Sequence, residues 1–418
     1  MGKLRLSKKE RGRLDILKKV ECGKLSVRKG AELLGLSYRQ MLRLLKRHIA
    51  DGPSGIGHRL RNQKSNHEIS APRRERILEL YRTKYHDFGP TLAVEYLARD
   101  DDERIGVETL RCWLTAAGLW QPRRQGARHR AWRERRACWG EMVQMDGSEH
   151  DWFEGRRPRA SLMVLIDDAT NWTHAKFFES ETTAAAMDVF QEYVRYYRLP
   201  RSLYVDRDSI YETTRDSTVD EALRDQTPLT QFGRAMQALG VELILAYSPQ
   251  AKGRVERRHG VFQDRLVKAL RLQNISTLEA ANRYLEQTFL DELNTRFSVE
   301  AKSPANLHRA IGPEIRLEHV LCYQEARVVQ NDWTVSWCNR ILQLSEKHQK
   351  LRLARKKILV SELLDGTLRL TYQGHVLSWT ELPVRPPRPS KKPTSPPKSK
   401  PRYKPPVGHA WRRGQNGR

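Results

Sequence analysis

The stretch ASLMVLIDDATNWTHAKFFES, residues 160–180, constrains the fold more than any other part of the chain. Two apolar runs flank a turn at Asp167–Asn171, which is the pattern of two strands joined as a hairpin. MVQMDGSEHDWF, just upstream, reads as a further strand. A helix is predicted at Thr183–Tyr197, followed by Leu199-Pro200 and the short strand SLYVD, whose apolar residues face both ways. The strand VELILAY then leads into a long helix from about Lys252 to Leu272, and a helix at Thr277–Asn294 closes the segment. Strands that pair first as a hairpin and then alternate with helices indicate a mixed α/β domain.

The flanks have other patterns. Upstream, LSKKERGRLDILKKV, SVRKGAELLG and SYRQMLRLLKRH read as three helices. Ser26 and Ser37 are placed as N-caps and Gly35 as a helix end. Two short helices joined at Gly35-Leu36 form a helix-turn-helix over residues 1–50, with Ser37–His48 as the groove-entering helix. Tyr38, Arg39, Gln40 and Arg43 are its candidates for contact with bases or phosphates. Met1–Ala50 carries fifteen Lys and Arg against four acids, which favours DNA over a plain helical bundle. A second helix-turn-helix is expected over 67–120, with Val107–Ala117 as its reading helix. The acidic run Asp100–Glu103 reads as a solvated turn, and 121–138 as a basic linker containing Trp132.

Downstream of the α/β domain (139–300), short strands over 315–384 turn at Asn331-Asp332, Asp365-Gly366 and Gln373-Gly374, which suggests a small β-barrel. Trp333 and Trp337 are expected in its core. The tail 385–418 is rich in proline and basic residues and has no acid after Pro386, so it is expected to be a disordered basic arm.

A formal net charge of +26 over 418 residues attracts polyanions, of which nucleic acid is the commonest. No apolar run is long enough to cross a bilayer, and the charged N-terminus lacks a secretory segment, so a cytoplasmic, nucleoid-associated protein is expected. Five cysteines, Cys22, Cys112, Cys138, Cys322 and Cys338, are scattered singly without zinc-ligand spacing and read as reduced thiols. No phosphate-cradling GxxxxGK[ST] loop is present.

Within this basic background three acids could converge in the α/β domain. Asp146 follows MVQM at the first strand, Asp206 ends SLYV, and Glu256 lies on the first turns of the long helix. Glu256 stands among Gln250, Lys252, Arg254, Arg257, Arg258 and Arg265. A site of carboxylates without Cys or His suits a hard cation, Mg²⁺ or Mn²⁺. Two such ions relieve the repulsion among the acids and can clamp both oxygens of a phosphoryl displacement. The surrounding basic residues would then hold the polyanion. Asp167 and Asp168 read as turn residues and His259 as a half-buried packing residue.

The run YSPQAKGRVER resembles the Y-x-P-Q-x-x-G-x-x-E motif of retroviral integrases and related DDE-type transposases. SLYVDRDSIYE and MVQMDGSEH resemble the strands of their second and first aspartates, and MVLIDDATNWTHAKF resembles the following hairpin. The resemblance covers about Trp139–Asn294 and is nearest to the ISNCY group of insertion-sequence transposases. It implies a ribonuclease H-like core, Asp146, Asp206 and Glu256 as catalytic metal ligands, and two Mg²⁺ ions with Mn²⁺ as a substitute. It further implies double-stranded DNA (element ends and target) as partner, a homodimer or higher oligomer on DNA, cleavage of terminal repeats, and joining of the 3′-OH to target. Two departures stand. Asp208 follows Asp206-Arg207 where many relatives have Gly, leaving a rival second ligand. The position seven residues after Glu256 is Gln263 rather than a basic residue, so the group that grips the scissile phosphate is unassigned. A structure-specific nuclease on the same fold and a non-catalytic DNA-binding regulator are the alternative readings; joined products separate the first and metal-dependent cleavage the second.

Overall fold

Serine caps set the N-terminal helices. The computed structural model describes residues 7–57, 69–122, 134–217, 222–223, 227–246 and 253–383, and divides into two compact units, Met1–Arg124 and Gln125–Arg418. In the first unit, α1 (Lys8–Glu21), α2 (Val27–Leu34) and α3 (Tyr38–Asp51) begin at Ser7, Ser26 and Ser37. Each serine hydroxyl accepts a backbone N–H of the first turn, satisfying a donor that the helix itself leaves open. Gly35 ends α2 in the left-handed region, φ 61°, which turns the chain sharply into α3. A Cβ on Gly30 would stand 2.9 Å from Met41 Cε and 3.0 Å from Val20 Cγ2, so glycine allows the three helices to close on Leu17, Val20, Met41 and Leu44.

Helices α4 (Ala71–Lys84), α5 (Pro90–Asp100) and α6 (Val107–Ala116) follow. They bury Ile77, Tyr81, Tyr85, Phe88, Leu92, Leu97, Leu110 and Leu114. The acidic run beside them is solvated only at Asp100 and Asp102. Asp101 accepts from the Tyr85 hydroxyl at 2.6 Å and pairs with Lys84, while Glu103, 7% exposed, pairs with Arg73 at 2.9 Å. The opposite charges of α4 draw these acids in.

The second unit is built on a five-stranded sheet of order β3-β2-β1-β4-β5. Strands β1 (Met142–His150), β2 (Ala160–Asp167) and β3 (Thr173–Phe178) are antiparallel. β4 (Ser202–Val205) and β5 (Glu242–Leu245) extend the sheet parallel to β1. This is the mixed α/β arrangement the hairpin and alternation predict. α7 (Thr183–Tyr197) and α8 (Gln231–Leu239) cover one face over Val143, Met145, Met163 and Leu165. α9 (Gly253–Leu272) covers the other, over Leu162, Val164 and Ile166. All eight residues of β2 are buried, as a strand covered on both faces must be.

The expected single helix at Thr277–Asn294 is three pieces: α10 (Leu278–Tyr284), a π-turn at Leu285–Phe289, and α11 (Leu290–Phe297). The wider turn keeps Leu285, Phe289, Leu290 and Leu293 on the sheet. Asn282 and Asn294 each donate to and accept from the backbone of edge strand β3, at Phe177 and Thr173, in place of a missing neighbour strand.

The C-terminal strands are β6 (Tyr323–Val328), β7 (Thr334–Trp337), β8 (Arg340–Leu344), β9 (Lys357–Glu362), β10 (Leu368–Tyr372), β11 (His375–Leu377) and β12 (Trp379–Leu382). They pair as two antiparallel sheets, β11-β10-β9-β6 and β12-β8-β7. The expected barrel is thus not a ring of paired strands among the described residues. Instead the sheets share one apolar core containing Trp337, and Trp337 Nε1 donates across it to Glu362 at 2.9 Å. The subdomain is fixed to α8 by Gln231, which donates to Gln324 O and accepts from Gln324 N. Arg234 adds bonds to the carbonyls of Val320 and Cys322. All five cysteines are free, and no described helix is long and apolar enough to cross a membrane.

Burial alone would raise the Asp101 carboxyl, but Lys84 and Tyr85 outweigh it and hold it below its ordinary value. A lowered folded-state value stabilises above the unfolded pKa and is lost as pH falls through the folded one. The melting temperature of Asp101→Asn should therefore lie below wild type at pH 7, and the gap should close on acidification below about pH 4. Thermal melts across that range check it.

Candidate active site

The entry into α9 is held by a buried carboxylate. Asp168, fully buried, accepts from Gln144 Nε2 at 2.7 Å, Arg254 Nη1 at 2.8 Å and Arg136 N at 2.9 Å. Gln144 turns its other end to α9, where its Oε1 accepts from Val255 N at 3.4 Å. One side chain on β2's turn therefore ties β1 to the first turn of α9. Asp167 holds the turn itself: its carboxylate accepts from Gly140 N and from the backbone and hydroxyl of Thr170, and burial pushes its pKa up. Asp167 thus serves the turn, as the sequence predicts, whereas Asp168 serves the tie between β1 and α9.

From that tie, α9 runs in step with β1. Val255 meets Gln144, His259 Nε2 stands 3.4 Å from Asp146 Oδ2, and Gln263 Nε2 donates to Ser148 Oγ at 3.4 Å. Four helical residues advance about 6 Å and two strand residues about 6.7 Å, so the two elements stay in register over this length. Asp146 consequently lies under the second turn of α9, next to His259, which is 7% exposed.

Asp206 reaches the same end of the sheet from the neighbouring strand. β1 and β4 are parallel, with Gln144 opposite Tyr204. Asp146 and Asp206 are each two residues beyond that last pair, Asp206 just past the end of β4. Asp206 Oδ1 accepts from Asp208 N at 3.1 Å. Asp208 is itself drawn into the turn, where its Oδ1 accepts from Ile210 N at 2.9 Å and from Ser209 Oγ at 3.2 Å.

Glu256 is on the first turn of α9, one residue from Val255 and three from His259, and is exposed. Among the described residues no three His, Cys, Asp or Glu side chains stand close enough to hold one metal ion. The structure thus carries Asp146 and Asp206 to the same end of the sheet and leaves Glu256 exposed on the adjacent helical turn. The donors available are carboxylate oxygens, the set a hard divalent cation takes.

The arginines around Glu256 divide. Arg254 and Arg258 are turned inward: Arg254 to Asp168, and Arg258, 5% exposed, to Asn171 O at 3.1 Å and over the Phe297 ring at 5.4 Å. Burial lowers the Arg258 pKa to about 10. Arg265 also lies over Phe297, at 5.1 Å, and Arg257 is exposed. The expectation that all four face a polyanion is corrected for Arg254 and Arg258, whose charges are engaged by the fold. Gln250 and Lys252 lie outside the described residues. Of the helix-turn-helix candidates, Tyr38, Arg39, Gln40 and Arg43 are all exposed on α3, and Gln40 also accepts from Ser37 N at 3.0 Å as part of the cap.

Sequence reasoning did not find Gln144, the Asp168 tie, Glu181 or Tyr211. Glu181, in the loop before α7, lies so close over Gly147 that a Cβ there would overlap its carboxylate. A glycine inside a strand was the available signal, since it often marks such an approach.

No protein-family model matches the chain. The chain is 36% identical over 382 residues, 91% of its own length and 82% of the relative's, to "Putative transposase y4bF" of Sinorhizobium fredii. It is 28% identical over 409 residues, 88% of its length and 85% of the relative's, to the transposase for insertion sequence IS1202 of Streptococcus pneumoniae. This chain belongs to the transposases. Solved structures that resemble it include the HTLV-2 integrase catalytic core in complex with magnesium (16% identity, 42% of this chain and 100% of that one, TM-score 0.30). Another is the simian T-cell lymphotropic virus intasome with a PP2A regulatory subunit (12%, 74% and 100%, TM-score 0.32).

Removing Asp168 strands a buried guanidinium, so Asp168→Ala should destabilise the second unit by about 3–5 kcal/mol. Chemical denaturation, with circular dichroism as readout, measures the loss.

Proposed function

We propose that this transposase is of the DDE type and acts on an insertion sequence: it hydrolyses the element's ends and joins the freed 3′-OH to target DNA. Asp146, Asp206 and Glu256 are the residues proposed to hold its divalent cations. The observation that supports this reading is the parallel pairing of β1 and β4, with Asp146 and Asp206 each two residues beyond its last pair, while α9 lies along β1. Oxygen-only donors on both strands suit Mg²⁺, or Mn²⁺ in its place. When bound, two such ions neutralise the acids and polarise the attacking and leaving oxygens of an in-line phosphoryl displacement. Glu256 completes the set by rotation of its exposed side chain toward Asp146, from a turn whose backbone is already fixed by Arg254 and Val255. Arg257, exposed on the same turn, is proposed to meet the DNA backbone.

The ribonuclease H-like description of the core rests on the same strand order, three antiparallel strands extended by two parallel ones. Helix α3 is proposed to read element ends through Tyr38, Arg39, Gln40 and Arg43, and residues 67–120 to form a second reading module. The ISNCY grouping, the linker 121–138 and the basic tail 385–418 belong to this reading too. Joining two ends requires two copies on DNA, so a dimer or larger assembly follows from the reaction.

Asp146→Asn should reduce strand joining at least about a thousandfold while binding to terminal-repeat DNA stays nearly unchanged. Gel analysis of joined products on supercoiled plasmid measures the first and a mobility shift the second. Joining at the wild-type rate would sink the assignment, and nicking without any joined product would favour a nuclease. Arg39→Ala and Arg43→Ala should each lower the slope of log K against log salt by about one, if each side chain neutralises a phosphate. Fluorescence anisotropy across a salt series tests this.

A further inference from the structure

Between the turn after β2 and the first turns of α9 lies a cavity of about 170 Å³, lined by four arginines and, among the described residues, by no acid. Asn171 is its hub. With its backbone in the left-handed region, φ 61°, it offers an oxygen to each of two arginines. Its Oδ1 accepts from Arg135 Nη1 at 2.8 Å, and its carbonyl accepts from Arg258 Nη2 at 3.1 Å. Arg257 Nε donates to Gly253 O at 2.7 Å. These three guanidinium groups are thus aimed by neutral acceptors, which leave their charge unbalanced. Of the four, only Arg254 pairs with a carboxylate among the described residues, that of Asp168. Arg258 is the most deeply buried, and its Nη1 is enclosed without a hydrogen bond. Burying a charged donor without an acceptor costs more than burying a neutral one. Arg135 and Arg257, both exposed, stand at the mouth.

We propose that this cavity seats one phosphate group, with Arg258 Nη1 as its buried donor and Arg135 and Arg257 closing on it from the mouth. A guanidinium presents its N–H groups as a planar fork that matches phosphate oxygens. The volume suits one phosphate with a few waters, at about 30 Å³ a water. The seat does not depend on the acids. Successive helical residues turn by about 100°, so Arg254 and Arg258, two residues either side of Glu256, lie about 160° round α9 from it. The phosphate held here is therefore not the one that reacts. A net charge of +26 makes the DNA backbone the favoured source, and inorganic phosphate carries the same group. The site grips the substrate on the face of α9 away from Glu256.

Two measurements on the full chain test this: thermal melts in sodium phosphate against sodium chloride of equal ionic strength, and fluorescence anisotropy with duplex DNA across a salt series. Phosphate that binds only the folded chain raises the melting temperature. Wild type is expected to show that rise and Arg258→Met to lose it. Should Arg258→Met fail to fold, Arg135→Gln at the exposed mouth carries the test and should lose most of the rise. On DNA, each variant should lower the slope of log K against log salt by about one. The double variant should also lower it by about one and not two, because both arginines serve the same phosphate. Asp146→Asn should keep the phosphate-dependent rise, so failure of the cation assignment leaves this one standing. A rise lost with unchanged DNA slopes names free phosphate as the source, and lowered slopes without any rise name the DNA backbone; either supports the seat. If both variants keep the wild-type rise and slope, water alone fills the cavity and the proposal falls. A double variant that lowers the slope by two assigns the arginines to separate phosphates and overturns the single seat.

Discussion

The placement of the acids depends on the buried carboxylate of Asp168. It joins a strand, a turn and the start of a helix through Gln144, Arg136 and Arg254, and each partner comes from a different part of the chain. A buried ion pair of this kind is poor evidence for net stability, because desolvating both charges costs nearly what their attraction returns. What it supplies is position. With Arg254 held, the first turn of α9 can lie only where Val255 meets Gln144, and everything further along the helix is then fixed against β1.

Charge in this region is therefore organised differently from the chain average. A net charge of +26 suggests a surface basic throughout, yet Arg254 and Arg258 are engaged in the interior by Asp168 and Asn171.

Much of the fold could be read from local pattern. The hairpin at 160–180, the serine caps, Gly35 and the strand contexts of Asp146 and Asp206 depend on near neighbours, and periodicity or cap chemistry records them. What escaped depends on distant residues. Asp168 meets Arg254 across 86 positions, and nothing in IDDATN marks its second aspartate as different from its first. Asp100–Glu103 looked solvated because its partners, Lys84, Tyr85 and Arg73, lie on another helix. The basic residues near Glu256 were legible as a cluster, but composition does not say which guanidinium turns inward. The C-terminal strands were legible one by one, whereas pairing into two sheets rather than one ring depends on how short strands close on a shared core.

The shared pitch of α9 and β1 also limits how homologues can differ in length. One residue gained or lost between Gly253 and Gln263 would rotate the rest of the helix by about 100° and carry His259 away from Asp146. Only segments outside the helix–strand pair can lengthen without breaking this meshing.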